Sequence, residues 1–424
     1  MTNRRKNFTR RDLLATGLSF SAGMLVPALG AGNLFAGAHE ETSTDLLIIG
    51  AGPFGLAISA YAQDHGIRHK VVGVPMGFWR DNMPQSMYLR SSCDWSLDPV
   101  GNYSIYAYLE GLGKTCSQVT PLSRDFYLDY AGWMQRGRGI ESTESIVTSL
   151  IPDDSGLVAV FANGKRIRSR AVVVAIGFKD FAHTPANLSA MFPAHQQGHT
   201  CFSVDFEGMA DKRVLIVGGR MSAFEWTALI REAGAKAVHV SYRHDTPVFE
   251  TSDWSWVNGI VDNMSKDPGW YRRLSTEEKK NLNHRFWVEG RKKLEPWLAP
   301  RIDHTNVHLH PKTNVMGTEV KEGGIDVELD NGDKFAVDHV VFATGYRMDV
   351  QRIPFLSDDL LRSLQVEQHY PVLDVNFQTN IPGLYMTSLA AARDFGSFMA
   401  FTVSARAQAN VIGAAVKKQL EVHA

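Results

Sequence analysis

The hydrophobic pattern of the chain contains two unbroken apolar runs, each followed by a glycine-rich turn and a stretch of small and apolar residues. The first run, Asp45–Ile49, leads into the turn Gly50–Gly55, and the second, Arg213–Val217, leads into Gly218–Ala223. Unbroken apolar runs are typical of buried parallel strands, and a glycine turn between a strand and a helix is a site for dinucleotide pyrophosphate. The pattern therefore predicts two strand-turn-helix units.

The first turn follows the spacing G-x-G-x-x-G with Gly50, Gly52 and Gly55. These positions serve the tight turn, the approach of the backbone to the pyrophosphate and the close packing of the helix, whose N-terminus faces the phosphates. The next predicted strand should end in an acidic residue that binds the ribose, but Gly73 and Val74 occupy that place. Either the ribose is held in another way or the motif is degenerate.

In the second turn, Arg220 replaces the middle glycine, whereas Gly218 and Ala223 keep the outer positions. A helix is predicted over Ser222–Glu232, and the strand after it ends in Arg243. A basic residue at that place favours a ribose 2′-phosphate, which predicts NADPH rather than NADH. The alternatives are that Arg243 is a solvated strand end, and that Arg220 is a surface side chain rather than a pyrophosphate contact.

Two later apolar runs end in Ala-Ile-Gly177 and Ala-Thr-Gly345, and each follows a predicted hairpin with an Asn-Gly turn. These runs are typical of strands that return to a dinucleotide domain. The sequence thus predicts an α/β fold with two Rossmann-like dinucleotide-binding domains, the second inserted into the first. The predicted boundaries are 44–190 and 336–424 for the split domain and 191–335 for the inserted domain, which carries a helical insertion at about 250–300.

Composition excludes several other classes of function. With 44 basic and 45 acidic residues among 424, the formal charge is −1, which argues against nucleic acid as a partner. The three cysteines, at 93, 116 and 201, form no C-x-x-C pair, so dithiol and zinc chemistry are not expected. The histidines lack the helical H-E-x-x-H spacing, and no metal site is predicted.

Residues 1–38 have the layout of an export signal. A basic start with Arg10-Arg11 before Leu13-Leu14 precedes a moderately apolar stretch and the small residues Ala36–Ala38. The paired arginines resemble a twin-arginine signal, which predicts export of the folded protein to the periplasm by the twin-arginine machinery. If the signal is not used, the protein is expected in the cytoplasm. The glycines and proline of this segment argue against a membrane anchor.

Over about residues 44–416 the sequence resembles the two-dinucleotide-binding flavoprotein monooxygenases, the class of the ornithine and lysine N-hydroxylases and the flavin-containing monooxygenases. The segments that carry the resemblance, besides the two glycine turns, are 77–92 with Phe78-Trp79, Phe342–Tyr346, Pro382–Tyr385 with the later Phe395-Gly396, and Pro247–Asn258, which is similar to a D-S-x-F-x-N region of the N-hydroxylases. The asparagine-tyrosine pair of that family near Phe286 is absent, so a specificity for ornithine or lysine is not implied.

The resemblance implies FAD in the split domain and NADPH in the inserted domain. NADPH would reduce the flavin, and reaction with O2 would give a C4a-hydroperoxyflavin that transfers one oxygen atom to a small nitrogen-containing or aromatic substrate. The catalytic candidates are Asn82, Arg90 and Asp253. The predicted cofactor-binding residues are Gly50, Gly52, Pro53, Phe54, Gly55, Trp79, Met87, Arg90, Gly218, Arg220, Ser222, Ala223, Arg243, Thr344, Gly345 and Phe395. Four tryptophans are candidates for the wall of a substrate pocket: Trp79, Trp95, Trp254 and Trp256.

The export signal conflicts with the use of NADPH, because NADPH is a cytoplasmic reductant. Either the leader is not processed, or the protein is an exported flavin oxidase or dehydrogenase that does not use NADPH. A non-catalytic nucleotide-binding sensor is a further alternative. The expected partners are a small-molecule substrate and O2. The sequence leaves open whether the protein forms a homo-oligomer.

Overall fold

A seven-stranded sheet carries the first glycine turn. The computed structural model describes residues 41–154 and 156–422, so the predicted signal at 1–38 lies outside the described residues. The strands of this sheet, in spatial order, are Ser142–Thr143, His69–Val72, Glu41–Ile49, Arg166–Val174, Gly156–Phe161 and Val147–Asp153, and Leu384–Met386 pairs with the second half of Arg166–Val174. The predicted hairpin through Asn163-Gly164 is confirmed by the antiparallel pairing of its two strands.

The strand Glu41–Ile49 lies in the middle of this sheet, between parallel neighbours on both sides. Leu46, Leu47 and Ile48 are 0% exposed, which explains why the run is apolar without alternation. Helix Pro53–Asp64 packs against the C-terminal helix Ala405–Val422. Their contact is close, because a Cβ atom on Gly413 would overlap the ring of Tyr61.

A second sheet of five parallel strands carries the second glycine turn. In spatial order these strands are Val307–Pro311, Ala237–Tyr242, Arg213–Val217, His339–Phe342 and Gln197–His199. Helix Met221–Glu232 follows the turn. A separate antiparallel sheet contains the other predicted hairpin, with strands Val315–Lys321, Gly324–Leu329 and Lys334–Val337. The parallel strands around each glycine turn, in a mixed first sheet and an all-parallel second sheet, confirm the predicted fold class.

The predicted domain boundary at residue 336 is wrong. The boundary predicted from the sequence places strand His339–Phe342 in the split domain, but the strand pairs with Arg213–Val217 in the second sheet. From the later part of the chain, the first sheet gains strand Leu384–Met386 and a bridge between Leu150 and Leu356. An apolar run has the same sequence pattern in either sheet, and only the pairing of the strand shows to which sheet it belongs.

The helical insertion lies within the predicted range of 250–300. It consists of helices Val257–Lys266, Trp270–Arg273 and Thr276–Trp287 and the π-helical turn Val288–Lys292. Helix Thr276–Trp287 begins at a capping box, because Ser275 and Glu278 each accept from the backbone N–H of the other. A short parallel pair, Val248–Phe249 with Lys293–Leu294, closes the base of the insertion.

Further α-helices and one more strand pair lie between these elements. The remaining α-helices are Gly77–Asp81, Ile105–Gly111, Cys116–Val119, Arg124–Arg138, Ala186–Ser189, Ala299–Ile302, Asp358–Ser363 and Ala392–Phe395, and the remaining strand pair is Val366–Glu367 with Tyr370–Pro371. Across residues 41–422, apart from 155, no helix is long and apolar enough to span a membrane. In the same residues, no group of three or more histidine, cysteine or acidic side chains is placed to hold a metal ion.

Candidate functional site

The first glycine turn packs so closely on its own sheet that two of its glycines have no room for a side chain. A Cβ atom on Gly50, where φ is +117°, would overlap the carbonyl oxygen of Ala175, and one on Gly55 would overlap the carbonyl oxygen of Gly50. Gly52 differs, because a Cβ atom there would meet nothing within 4 Å. It is the N-cap of the following helix, and no side chain caps that helix. The residues therefore fit a pyrophosphate at the start of the helix.

The residues beside this turn explain the missing acid. Gly73 lies against the turn, since a Cβ atom on it would be 3.1 Å from the backbone nitrogen of Ala51. The N–H of Gly50 also donates to the carbonyl of Val72, at 2.7 Å. The strand end is therefore packed on the turn and carries no carboxylate toward a ribose. Two predicted cofactor residues, Pro53 and Phe54, are buried in the first turn of the helix.

The second turn has the same close packing with different partners. A Cβ atom on Gly218, where φ is +137°, would overlap the carbonyl oxygen of Ala343. One on Gly219 would overlap the side chain of Tyr242. Both glycines are thus required by the protein itself, whatever ligand binds at the turn.

Arg220 fits into the second turn without changing its shape. It is the N-cap of helix Met221–Glu232, with φ −113° and ψ −174°, close to the φ −82° and ψ −168° of Gly52. This extended conformation is open to any residue. The half-buried guanidinium donates to the backbone carbonyl of Arg291 in the helical insertion. Burial, and then the charge of Arg291, lower the pKa of Arg220.

The other residues predicted around the second turn are divided between the core and the surface. Ala223 is 1% exposed beneath the turn. Ser222 is exposed at the start of the helix, and Arg243 is exposed directly after strand Ala237–Tyr242. Ser222 and Arg243 thus have surface to offer a ligand, and their cofactor-binding role stays a prediction.

Residues 77–97 begin with the short helix Gly77–Asp81, are called here the bridging loop, and connect the first domain to the second. Buried Asn82 donates through its side-chain amide to the carbonyl of Cys201, at 2.8 Å. The Trp79 ring stacks on Tyr127, with centroids 4.8 Å apart. The backbone carbonyl of Met87 accepts from Arg124 N, at 3.1 Å. Asn82 therefore positions the loop against the second domain, and its catalytic role stays a prediction.

Arg90 joins the bridging loop to the helical insertion. Its Nε lies 2.8 Å from a carboxylate oxygen of Glu295. Its terminal nitrogens donate to the carbonyls of Glu289 and Gly290, at 2.6 and 3.2 Å, and to the hydroxyl of Ser252. The guanidinium also lies over the ring of Trp254, 5.5 Å from its centroid. Because so many of its donors are used, the geometry supports a positioning role for this predicted catalytic residue.

Asp253 lies at the surface of the insertion. Its carboxylate accepts from the backbone N–H and the hydroxyl of Ser255, at 3.0 and 2.6 Å, and forms an ion pair with Arg285 at 3.1 Å. The hydrogen bonds from Ser255 contribute most to lowering the pKa of Asp253. An ionised carboxylate cannot donate a proton, so these contacts do not fit a general acid. Any other catalytic role of Asp253 stays a prediction.

Three of the four predicted pocket tryptophans come together between the bridging loop and the insertion. The ring centroids of Trp95 and Trp254 are 6.3 Å apart, and Trp256 lies 4.6 Å from Phe286. Trp79 is separate from them, on Tyr127. Three buried polar atoms near this cluster have no hydrogen-bond partner within the described chain, namely Trp95 Nε1, Trp254 Nε1 and Asn258 Oδ1. Buried polar atoms are usually hydrogen-bonded, so these three atoms are candidates for contacts with a ligand or with water.

The late Ala-Thr-Gly segment contacts residues 183–199, where the chain passes from the first sheet to the second. The Thr344 hydroxyl donates to the carbonyl of His183, at 2.5 Å. The carbonyl of Gly345 accepts from the ring Nε2 of His199, at 3.1 Å, while the ring Nδ1 accepts from Cys201 N at 3.0 Å. These partners fix a neutral tautomer of His199, and burial lowers its pKa to about 4.

The predicted side-chain role of Phe395 is corrected by its burial. The ring is 0% exposed and stacks on Phe377, with centroids 4.1 Å apart. A ring with no accessible surface packs in the core and does not face a ligand. In the sequence, an aromatic residue before a glycine has the same pattern whether its ring packs in the core or faces a ligand.

A disulfide between Cys93 and Cys116 was not predicted. The two Cα atoms are 6.2 Å apart, and the bond ties the bridging loop to helix Cys116–Val119. The third cysteine, Cys201, is free and buried. An odd number of cysteines with irregular spacing gave no indication of the pair, although an export signal would have favoured a disulfide, because disulfides persist in oxidising compartments.

The sequence is similar to known oxidoreductases. Residues 47–268 match the sequence profile of the family described as pyridine nucleotide-disulphide oxidoreductase. A ferredoxin–NADP reductase of a Nocardioides species is 32% identical over 213 residues, 47% of this chain and 55% of the relative. One from Cupriavidus pinatubonensis is 26% identical over 223 residues, 52% of this chain and 56% of the relative. The chain spans about half the length of the curated relatives that it matches.

Solved structures of N-hydroxylases share the fold. The ornithine hydroxylase of Pseudomonas aeruginosa is 16% identical with a TM-score of 0.72, covering 89% of this chain and 100% of that one. An ornithine N-hydroxylase of Kutzneria sp. 744 has a TM-score of 0.74 at 15% identity, with 89% and 100% covered. The L-lysine 6-monooxygenase of Pseudomonas syringae has 0.66 at 17%, again with 89% and 100%. At these identities the likeness establishes the architecture.

Proposed function

The chain belongs to the pyridine nucleotide-disulphide oxidoreductase family, and from that premise we propose that it is an FAD- and NADPH-dependent monooxygenase. Family membership confirms the prediction of an oxidoreductase enzyme. In the proposed reaction, NADPH supplies a hydride, and one oxygen atom of O2 enters a small nitrogen-containing or aromatic substrate. The other oxygen atom leaves as water, with a proton from solvent completing the balance.

The observation that carries the proposal is the pair of glycine turns in two sheets, each opening on a helix N-terminus without a side-chain cap. A hydride donor and a flavin need separate phosphate sites on facing domains, so that the two rings meet. The first turn leaves open space at Gly52, which suits FAD. The second turn has cations at Arg220 and Arg243 and no carboxylate at the strand end, which suits NADPH.

When bound, FAD would supply the redox chemistry. The protein would position the reactants and exclude water. Asn82 and Arg90 hold the bridging loop to the second domain and to the insertion. The aromatic cluster of Trp95, Trp254 and Trp256 would form the apolar side of the substrate pocket, with the unpaired indole N–H groups as donors to the substrate.

A second candidate function has an observation of its own. The Cys93–Cys116 disulfide is typical of a protein that matures in an oxidising compartment, as the export signal predicts. A periplasmic protein would not meet NADPH, and we would then expect a flavin oxidase or dehydrogenase with another reductant. Localisation separates the candidates. Antibodies would detect the protein in periplasmic and cytoplasmic fractions of cells that produce either the intact chain or an Arg10→Lys, Arg11→Lys variant. The comparison of the two shows whether the twin-arginine signal acts.

Activity with purified protein tests the main proposal. We expect NADPH oxidation to consume O2 and to be faster than NADH oxidation. A panel of amines and aromatic compounds should include substrates that gain one oxygen atom, detected by mass spectrometry with 18O2. The curated relatives are named ferredoxin–NADP reductases, so reduction of ferredoxin under nitrogen is the control. Rapid ferredoxin reduction without incorporation of 18O into any compound would refute the monooxygenase.

A further inference from the structure

The middle of the bridging loop lies between two points that are anchored to the first domain. Before it, the N–H of Leu89 donates to the carbonyl of Leu122, at 2.8 Å. After it, the carbonyl of Trp95 accepts from the hydroxyl of Tyr127, at 3.2 Å. Residues 90–94, called here the central span, belong to no helix or strand. The position of the central span therefore depends on the contacts of its side chains.

These side chains tie the central span to both sides of the cleft between the first domain and the helical insertion. Arg90 holds the span to the insertion through its ion pair and its hydrogen bonds. On the other side, Cys93 is bonded to Cys116 of the first domain. The carboxylate of Asp94 also accepts from the hydroxyl of Tyr106, at 2.8 Å, but this hydrogen bond is exposed. Since an exposed hydrogen bond exchanges readily with water, the disulfide is the stronger tie to the first domain.

The two sulfur atoms of this disulfide lie in different surroundings. Cys93 is 1% exposed and precedes Trp95 of the aromatic cluster by two residues. Cys116 is half-buried in a surface segment, residues 111–120, in which all residues except Cys116 and Val119 are exposed. Thiol–disulfide exchange requires that a thiolate reach one of the two sulfurs. A thiolate from solvent therefore has access to the bond from the Cys116 side, and the result of its attack reaches the aromatic cluster through Cys93.

We propose that the Cys93–Cys116 disulfide is a redox switch that fixes the wall of the aromatic cluster when it is oxidised and releases the central span when a dithiol reduces it. One thiolate of the dithiol attacks Cys116 Sγ, the S–S bond breaks, and Cys93 leaves as a thiolate that takes up a proton. The second thiol of the dithiol then displaces Cys116. The dithiol becomes a disulfide, and two electrons and two protons pass to the two cysteines.

Reduction leaves the central span attached to the insertion through Arg90, and the ring of Trp95 loses its fixed contact with Trp254, whose ring centroid is 6.3 Å away. The oxidised form is the one that an oxidising compartment maintains, and a reducing cytoplasm favours the released form. The consequence of the release for substrate binding rests on the proposed function. The switch itself does not, because it is a property of the folded chain.

The first test distinguishes a switch from a structural crosslink. The flavin-loaded full chain is equilibrated with mixtures of reduced and oxidised dithiothreitol, and free thiols are identified by alkylation and mass spectrometry. We expect Cys93 and Cys116 to become alkylated reversibly while circular dichroism still shows the native fold. The buried thiol of Cys201 should stay unlabelled and serves as the internal control for folding. Alkylation of the pair only under conditions that unfold the protein would overturn the switch.

The second test asks whether the bond controls the aromatic cluster. Reduced native protein and Cys116→Ser should exchange amide hydrogens in residues 90–97 roughly tenfold faster than the oxidised protein, as expected for a locally released segment. Dithiothreitol should have no further effect on Cys116→Ser, whereas Cys201→Ser should respond like the native protein. Reduction should also change the tryptophan fluorescence, and Trp95→Phe should lose most of that change.

Unchanged exchange and fluorescence after reversible reduction would overturn the coupling to the cluster. Faster exchange with the fluorescence change retained in Trp95→Phe would overturn the role of Trp95 in it. Neither test involves NADPH or oxygenation, so a failure of the proposed monooxygenase activity is detected independently.

Discussion

The helix after each glycine turn begins with a residue in nearly the same backbone conformation, Gly52 in the first domain and Arg220 in the second. Around them, both turns pack on their own sheets so closely that the glycines at 50 and 218 are required. What differs is the surface offered to a ligand. The first turn presents bare main chain and open space, and the second presents a guanidinium that is held by the helical insertion.

This difference separates two roles that one motif combines. The outer glycines serve the packing of the chain, whereas the middle position serves the approach of the ligand. An arginine at the middle position therefore leaves the fold intact and changes how an anion is bound.

The largest effect is expected from side chains at the outer glycines. Gly50→Ala and Gly218→Ala each place a Cβ atom against a carbonyl oxygen at positive φ, and each should lower the free energy of unfolding by about 3 kcal/mol or more, from strain and overpacking together. Gly52→Ala is the matched control, and it should change stability little while weakening FAD binding. Denaturant titration followed by circular dichroism measures all three. Equal destabilisation by Gly52→Ala would refute the separation of roles.

Loss of the disulfide should come next and affect the first domain. The Cys93→Ser, Cys116→Ser double variant opens a loop closed over a sequence separation of 23 residues, which should reduce stability by about 3 kcal/mol in the chain-entropy model. Dithiothreitol should destabilise the native protein similarly and leave the double variant unchanged. Cys201→Ser, in the second domain, is the control whose response to dithiothreitol should match that of the native protein. A native protein that is indifferent to the reductant would contradict the assignment.

A pH-dependent effect on stability is expected at His199, where the chain passes from the first sheet to the second. His199 is buried with both ring nitrogens hydrogen-bonded in the neutral form, and its pKa is lowered to about 4. The unfolded chain binds the proton more readily than the folded one. The stabilisation from neutral His199 is therefore fully present above the unfolded pKa of about 6.5 and is lost as pH falls toward 4. Between pH 7 and pH 5 the loss from this group should be up to about 2 kcal/mol. His199→Gln should show a correspondingly shallower loss, and an equally steep loss would disprove this role for His199.

The smallest effect is expected at the ribose position of the second domain. Arg243→Ala should weaken NADPH binding by about tenfold, or about 1.4 kcal/mol, and leave NADH binding unchanged, because only NADPH carries the 2′-phosphate. Arg273→Ala, an exposed arginine paired with Asp267 in the insertion, is the control. Fluorescence titration of both nucleotides provides the dissociation constants. Equal weakening for NADH and NADPH would assign Arg243 to another part of the nucleotide.

The sequence predicted the fold well because its signals are local. The apolar runs at Asp45 and Arg213 and the Asn-Gly turns each specify an element from adjacent residues. The boundary at 336 was wrong because strand pairing is not a local property. The burial of Phe395 against Phe377 likewise depends on the assembled core.

For the site, the sequence indicated the two turns and the aromatic segments but not their partners. Arg90 contacts Ser252, Glu289 and Glu295, which are more than 160 residues away in the chain. The hydrogen bond from Arg220 to the backbone carbonyl of Arg291 joins the second glycine turn to a segment that carries no motif. Such contacts follow from tertiary packing and leave no periodic pattern.

The most direct test of the central claim is anaerobic stopped-flow absorbance of the flavin-loaded protein, mixed separately with NADPH and NADH and then exposed to O2. The account predicts rapid loss of the oxidised-flavin absorbance with NADPH, slower loss with NADH, and a delayed return of that absorbance in O2 with little release of hydrogen peroxide. If neither nucleotide reduced the flavin, the second turn would not hold a hydride donor, and the assignment of two cofactor sites to the two turns would be contradicted.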